Sequence, residues 1–231
     1  MHNALPDGDI VGTALSLAAQ AASVHGEQRW QWRVETSALQ LFLDPARAGP
    51  PVDAEQRALL LGCGLAVHHL CTAFRARGWS AIVHRLPDPA DPDHVATVGL
   101  VRRRATPLDA ALYRAITRRT ECEFRRAQPI PPGFLGLADE RAATLGAAVR
   151  RVPGPPLSGY AEVLAIGTSS DDRESRLRAG EALSAVLLTA ANVGLTAGLL
   201  STPLRDARVR NRIRREAFDG CAYPQAVLAI S

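Results

Sequence analysis

The chain contains no lysine: all 27 of its basic residues are arginine. Chemistry that needs an amine nucleophile or a Schiff base is therefore excluded. So is a Walker A loop, which requires a phosphate-binding lysine. Cysteine is also scarce. Cys63, Cys71, Cys122 and Cys221 form no paired framework in 231 residues, so a reducing cytoplasm is the expected compartment. No uncharged apolar run reaches the roughly 18 residues of a membrane span. The opening "MHNALPDGDI" has neither the basic nor the apolar region of a secretory leader. Aromatic residues make up only 5% of the chain, yet two of its three tryptophans, Trp30 and Trp32, stand in one short stretch, "AASVHGEQRWQW".

What is present suits a globular protein. The chain is 47% hydrophobic and 22% charged, with a net charge of +4. Its length allows one large core or two modest ones. Residues 9–24 read as an amphipathic helix with Ile10, Ala14, Leu17 and Ala21 on its apolar face. "WQWRVE" and "ALQLFLD" read as a hairpin. Asp53 can cap a long helix over 54–77, stopped by Gly78. "WSAIVHRL" and "HVATVGLV" read as strands, and Pro107 opens a helix to about Thr117. The segment "RRTECEFRRAQPIPPGFLG" reads as mainly loop, 138–151 as a helix, and "VPGPPLSG" as a linker. A strand at "YAEVLAIGT", a long helix over 172–193, a strand at "LTAGLLS", a basic helix over 204–216 and a terminal strand at "PQAVLAIS" complete the chain. The expected class is α+β, a layered fold with a mainly antiparallel central sheet and long helices packed on it. Each half shows a long helix, a glycine stop and a strand, which hints at internal duplication.

Several residues invite a chemical reading. Cys63, His68, His69 and Cys71 lie on one helix. At about 100° per residue, His68 sits roughly 140° from Cys63, and only His68 and Cys71 share a face. They read as buried small residues and helix-surface histidines, with no metal site. Arg205, Arg208, Arg212 and Arg215 line one side of the basic helix, opposite Val209 and Ile213. That is either a solvated face or a surface for phosphate or an acidic partner. Nucleic acid would call for stacking aromatics or a recognised module, and neither is present. Arg118, Arg119 and Thr120 end a helix, as arginines favoured by the helix dipole or as a phosphate clamp. Gly194 is a natural helix stop, and the small residues beyond it let a flat ligand approach the backbone.

In order and spacing, "AASVHGEQRWQW", "RALLLGCGLAVHHLCTAFRARGW", "AITRRTECEF", "GEALSAVLLTAANVGLTAGLLS" and "YPQAVLAIS" resemble the FMN-dependent nitroreductase superfamily, nearest its Acg-like branch. "LFLDPAR" adds to the likeness, which runs from about residue 9 to 231. The resemblance implies a fused-dimer fold in one chain, with a first half over about 1–117 and a shortened second half over about 118–231. It implies FMN as cofactor, NAD(P)H as co-substrate, and a small nitroaromatic or quinone-type acceptor. It places Ser23, His25 and Gln28 at the flavin ring or ribityl chain. It places Arg118 and Arg119 at the phosphate, Thr120 at the ribityl, and Gly194, Leu195 and Thr196 against the ring. No catalytic acid or base is implied, because the cofactor carries the hydride chemistry. Cys122 stands where relatives keep a second basic residue, with Arg125 close by as a substitute. Relatives also carry a long insert between "GAAVRRV" and "PLSGYAEVLAIG" and a basic tail after the last strand. The loss of half of a fused interface implies a homodimer, with neither nucleic acid nor membrane as partner. Two alternatives stand beside the enzyme: a flavin-binding or flavin-sequestering protein without turnover, and a cofactor-free interaction domain.

Overall fold

The computed structural model describes residues 4–21, 29–44, 53–121, 129–154, 162–200 and 203–231. Helix α1 (Gly8–Ala19) buries Val11, Ala14, Leu17 and Ala18 at helical spacing. It ends earlier than the sequence suggested, with Gln20 and Ala21 in a tighter turn. Strands β1 (Trp30–Val34) and β2 (Ala38–Leu43) pair antiparallel, Trp30 opposite Leu43. Helix α2 (Asp53–Ala76) is stopped at Gly78, whose φ of +81° is the left-handed conformation that glycine adopts freely. Strands β3 (Trp79–Arg85) and β4 (His94–Arg102) complete a four-stranded sheet in the order β1-β2-β4-β3. Helix α3 (Pro107–Glu121) starts with a reciprocal cap: Thr106 N–H donates to Asp109 and Asp109 N–H donates to the Thr106 hydroxyl. It runs past the expected end at Thr117, so Arg118–Thr120 belong to its last turn and not to a loop.

The second half departs most from expectation at its start. Helix α4 spans Phe134–Ala143, and residues 147–151, expected as helix, form strand β5 (Ala147–Arg151). Gly146, at φ +80°, ends the helical path. Ala147 and Val149 then alternate inward, the period of a strand. Strand β6 (Glu162–Thr168) lies between β5 and the last strand, β8 (Tyr223–Ile230), and its continuous apolar run fits that central place. Helix α5 (Arg173–Asn192) is capped by Asp172, whose side chain accepts from Ser175 N–H, and the turn after it carries Gly194 at φ +85°. Strand β7 (Ala197–Leu199) is shorter than expected. A 3-10 turn (Pro203–Arg205), helix α6 (Ala207–Phe218) and strand β8 (Tyr223–Ile230) follow. The second sheet has the order β5-β6-β8-β7. The class is α+β and wholly antiparallel, with the strands divided between two sheets.

The halves repeat in detail. In both sheets the order by chain position is first, second, fourth, third. Both carry a bulge at the same place. Leu41 pairs with Ala96 and Phe42 with His94, which leaves Val95 out. Ile166 pairs with Ala226 and Gly167 with Pro224, which leaves Gln225 out. The long helices α2 and α5 pack on each other at Gly64 and Gly180. A Cβ on Gly64 would lie 2.1 Å from the Leu177 carbonyl oxygen, and one on Gly180 would lie 2.1 Å from the Leu61 carbonyl oxygen. These contacts are reciprocal, as across a two-fold axis. Among the described residues α2 is the one helix long and apolar enough to cross a membrane, but 89% of its apolar window is buried inside the protein. Exposed large apolar side chains are scattered over β1, β3, α3 and the turn after α5, at Val34, Ile82, Leu108 and Val193.

Candidate functional site

The sequence-predicted site residues divide into those the structure describes and those it does not. Ser23, His25 and Gln28 lie outside the described residues, as do Cys122 and Arg125. Arg118 is exposed on the last turn of α3, and its side chain makes no hydrogen bond or ion pair to a described residue. The backbones of Arg119 and Thr120 continue that turn. Helix α3 packs against both α2 and α5. Gly194, Leu195 and Thr196 follow α5, so the structure sets Arg118 and this turn on two elements in direct contact.

The geometry of the turn limits what it can offer. Gly194 N–H donates to the Ala191 carbonyl at 3.3 Å, Leu195 N–H to Ala190 at 2.9 Å, and Thr196 N–H to Ser231 at 2.8 Å. All three amides are committed within the protein, and Leu195 is buried. The turn therefore presents apolar and backbone surface rather than free backbone amides. That surface is open: nothing lies within 4 Å of where a Gly194 Cβ would be, and the neighbouring Val193 is 43% exposed.

Burial and polarity meet most closely along the α2–α5 contact, in groups that sequence reasoning had not singled out. Arg57 donates to both carboxylate oxygens of Asp171, at 2.7 and 2.8 Å, and also to Gln225. Arg176 also donates to Oδ1 of Asp171, at 3.1 Å. Gln225, the residue left out by the bulge in β8, turns its amide to Thr168 and Asp171. Burial alone would raise the Asp171 carboxyl. The hydrogen bonds from Arg57 and Arg176 outweigh that and lower its pKa to about 2. Nearer the middle, Arg85 of β3 grips buried Glu181 of α5 with two bonds of 2.7 Å. One sequence signal pointed to the first cluster: Arg57 is the last charge before a 17-residue uncharged stretch and had to find a partner within the fold.

The histidines of α2 require a correction. They were expected on the helix surface, but His68 and His69 are both buried, because α2 is enclosed by α1, α3, α5 and β3. His68 Nδ1 lies 2.8 Å from the Ser184 hydroxyl of α5. Burial lowers its pKa to about 3, so the ring is neutral. Burial likewise pushes the Cys71 thiol up to about 12 and raises that of Cys63, which leaves both unreactive. Among the described residues no group of three or more His, Cys, Asp or Glu is placed to hold a metal.

Comparison with known proteins places this arrangement. No family model matches the chain. A Mycobacterium tuberculosis protein named "Putative NAD(P)H nitroreductase Rv3131" is 33% identical over 299 aligned positions, which cover all of this chain and 87% of that protein. A second from the same organism, "Putative NAD(P)H nitroreductase acg", is 38% identical over 98 residues, 42% of this chain and 30% of its own length. With identity of that order across its whole length, the chain belongs to the nitroreductase family, among the Acg-like relatives.

Proposed function

We propose that this protein is an FMN-binding, nitroreductase-like oxidoreductase. Hydride would come from NAD(P)H, and the electrons would leave to a small flat acceptor of the nitroaromatic or quinone type. The observation that carries the reading is the turn after α5: an exposed Val193, an open Gly194 at φ +85°, and an uncommitted Arg118 on the helix packed beside α5. A flavin has an apolar ring and a dianionic tail, and this donor set fits both. The turn offers flat, small surface to the ring, and Arg118, with Arg119 beside it in sequence, offers guanidinium to the phosphate. Because the amides of the turn are spent internally, hydrogen bonds to the polar edge of the ring fall to side chains, for which Ser23, His25 and Gln28 are the candidates. Thr120 would serve the ribityl chain. Bound flavin would supply the two-electron chemistry, and the chain's own residues bind and orient it.

The test is an absorbance scan of the purified protein. Flavin bands that bleach with NADPH under anaerobic conditions support the enzyme. A colourless protein that does not quench added FMN fluorescence refutes flavin binding. A second reading has its own support. The 299 aligned positions exceed the 231 residues here, so the relative carries stretches with no counterpart in this chain. A flavin-binding protein without turnover fits that difference, and flavin that binds but does not bleach would establish it.

A further inference from the structure

Helix α6 covers the outer face of the second sheet. Ile213 and Phe218 pack with Leu204 against Ala165 and Val227, and Val209 adds to this layer. Its apolar side is therefore occupied. The outer side is strongly basic: six arginines fall between residues 205 and 215, against Glu216 as the one acid inside the helix. Two of the six are spent on the fold. Arg210 donates to the carbonyl of Leu204 at 2.7 Å. Arg214 donates to the Gly220 carbonyl at 3.1 Å and stacks on Tyr223. The other four, Arg205, Arg208, Arg212 and Arg215, are all exposed, and their side chains make no hydrogen bond or ion pair to a described residue. At about 100° per residue Arg208, Arg212 and Arg215 fall in one stripe about 60° wide on α6, with neighbours roughly 6 Å apart, and Arg205 precedes it on the 3-10 turn.

An uncompensated row of like charges repels itself unless an anion bridges it. Arginine's planar fork suits phosphate oxygens in particular. Arg205 comes ten positions after the open turn at Leu195, and among the described residues between them the chain forms β7 and the start of the 3-10 turn. Resting on the flavin reading above, we propose that the outer stripe of α6 recognises the phosphates of the pyridine nucleotide. The extra adenosine 2′-phosphate would then make the protein select NADPH over NADH. The stripe carries no stacking aromatic, which disfavours single-stranded nucleic acid. Its apolar side is buried against the sheet, so insertion into a lipid surface is not open to it.

The experiment is titration calorimetry with NADP⁺ and NAD⁺ on the full chain, which needs no turnover. The expected result is NADP⁺ binding at least tenfold tighter than NAD⁺. In the double variant Arg208→Gln/Arg212→Gln that ratio should fall to within about twofold, with NADP⁺ affinity falling much more than NAD⁺ affinity. Both side chains are exposed, and an unchanged circular dichroism spectrum would verify the fold. Equal binding of the two nucleotides by the unmodified protein overturns the proposal, as does a ratio that survives the substitutions. Tighter, salt-sensitive binding of a 20-base-pair DNA duplex that displaces NADP⁺ also overturns it. The outcome is separable from the flavin reading: a colourless protein with an intact NADP⁺ preference fails the first and keeps the second.

Discussion

The two halves of this chain agree where backbones touch and differ where charges do. Gly64 and Gly180, Leu61 and Leu177, and His68 and Ser184 are all separated by the same 116 positions, as are the helix-stopping Gly78 and Gly194. The paired bulges around Val95 and Gln225 repeat as well. The polar contacts do not. Glu181, gripped by Arg85, stands where the first half has Leu65, and Gln225, bonded to Arg57, stands where it has Val95. The outer faces differ too. β7 and β8 are joined through α6, while β3 and β4 are joined by the eight-residue loop 86–93, which has no helix. Close approach of two helices is an all-or-none geometric demand, so its residues repeat. A charge pair needs unlike partners, so in the two described pairs that cross between the halves the first supplies the cations Arg57 and Arg85 and the second the anions Asp171 and Glu181.

The largest expected effect tests the repeated part. In Gly64→Ala the new methyl would stand 2.1 Å from the Leu177 carbonyl oxygen, and in Gly180→Ala the same distance from that of Leu61. These neighbours are backbone and cannot rotate away, so α2 and α5 must separate. Each variant should lose about 4 kcal/mol or more, beyond ordinary overpacking, and the two losses should agree within about 0.5 kcal/mol. Urea titration of both measures this. A mild loss at one position and a severe loss at the other would break the equivalence of the halves.

The next effect tests the directional part. Arg85→Leu leaves the Glu181 carboxylate, 3% exposed, without its guanidinium. A broken buried pair costs about 3 kcal/mol or more. Arg85→Leu/Glu181→Leu restores to α5 the residue type of its counterpart Leu65 and should recover most of that loss. If the double variant is no better than the single, the pair contributes something that an apolar core cannot replace.

The sequence made this comparison legible only in part, and for physical reasons. The long helices were readable because their apolar runs end at glycines with positive φ, a local signal. Strand β5 was not. "GAAVRR" has helix-compatible alanines, and only Gly146 and pairing with β6 decide its state. The burial of His68 and His69 follows from a second helix lying across the first, which no local period reveals. Gly64 and Gly180 look like poor helix residues until their partners are known. Of the candidate flavin residues, Gly194 was legible as a stop, and Arg118 was legible as a basic residue at a helix end, although the helix runs a turn beyond the expected Thr117. Its helix runs on because the Thr106–Asp109 cap starts it firmly and no glycine or proline interrupts it before Glu121.

A smaller effect separates the halves by pH. Asp171 is held at about 2 by Arg57 and Arg176 despite its burial, against about 3.9 for a free side chain. A depressed carboxyl stabilises the fold above its unfolded pKa, and that contribution fades as pH falls from about 4 towards 2. The side chain is about a third exposed, so solvent screening reduces the contribution to about 1 kcal/mol. Asp171→Asn should therefore lower stability at pH 7 by about that amount and flatten the acid limb between pH 4 and 2, as followed by thermal melts.

The finest test exchanges counterparts. His68 and Ser184 face each other at 2.8 Å across the helix contact, 116 positions apart. Alone, His68→Ser would leave a gap beside Ser184, and Ser184→His would force two rings together, each costing about 1–3 kcal/mol. The exchanged variant, His68→Ser/Ser184→His, keeps one ring and one hydroxyl at the same contact. If the two positions are equivalent, it should lie within about 1 kcal/mol of the unmodified chain. Acid behaviour gives a second reading. Burial lowers the His68 pKa to about 3, against about 6.5 unfolded, so stability falls as pH drops from 6.5 towards 3, where the unfolded chain takes up a proton and the fold does not. The exchanged variant retains a buried imidazole and should keep this slope, whereas His68→Ser should lose it. An exchanged variant that is as unstable as its worse single parent would show that the equivalence of the halves ends at the backbone, and that the surroundings of His68, with His69 and Arg75 nearby, have diverged from those of Ser184.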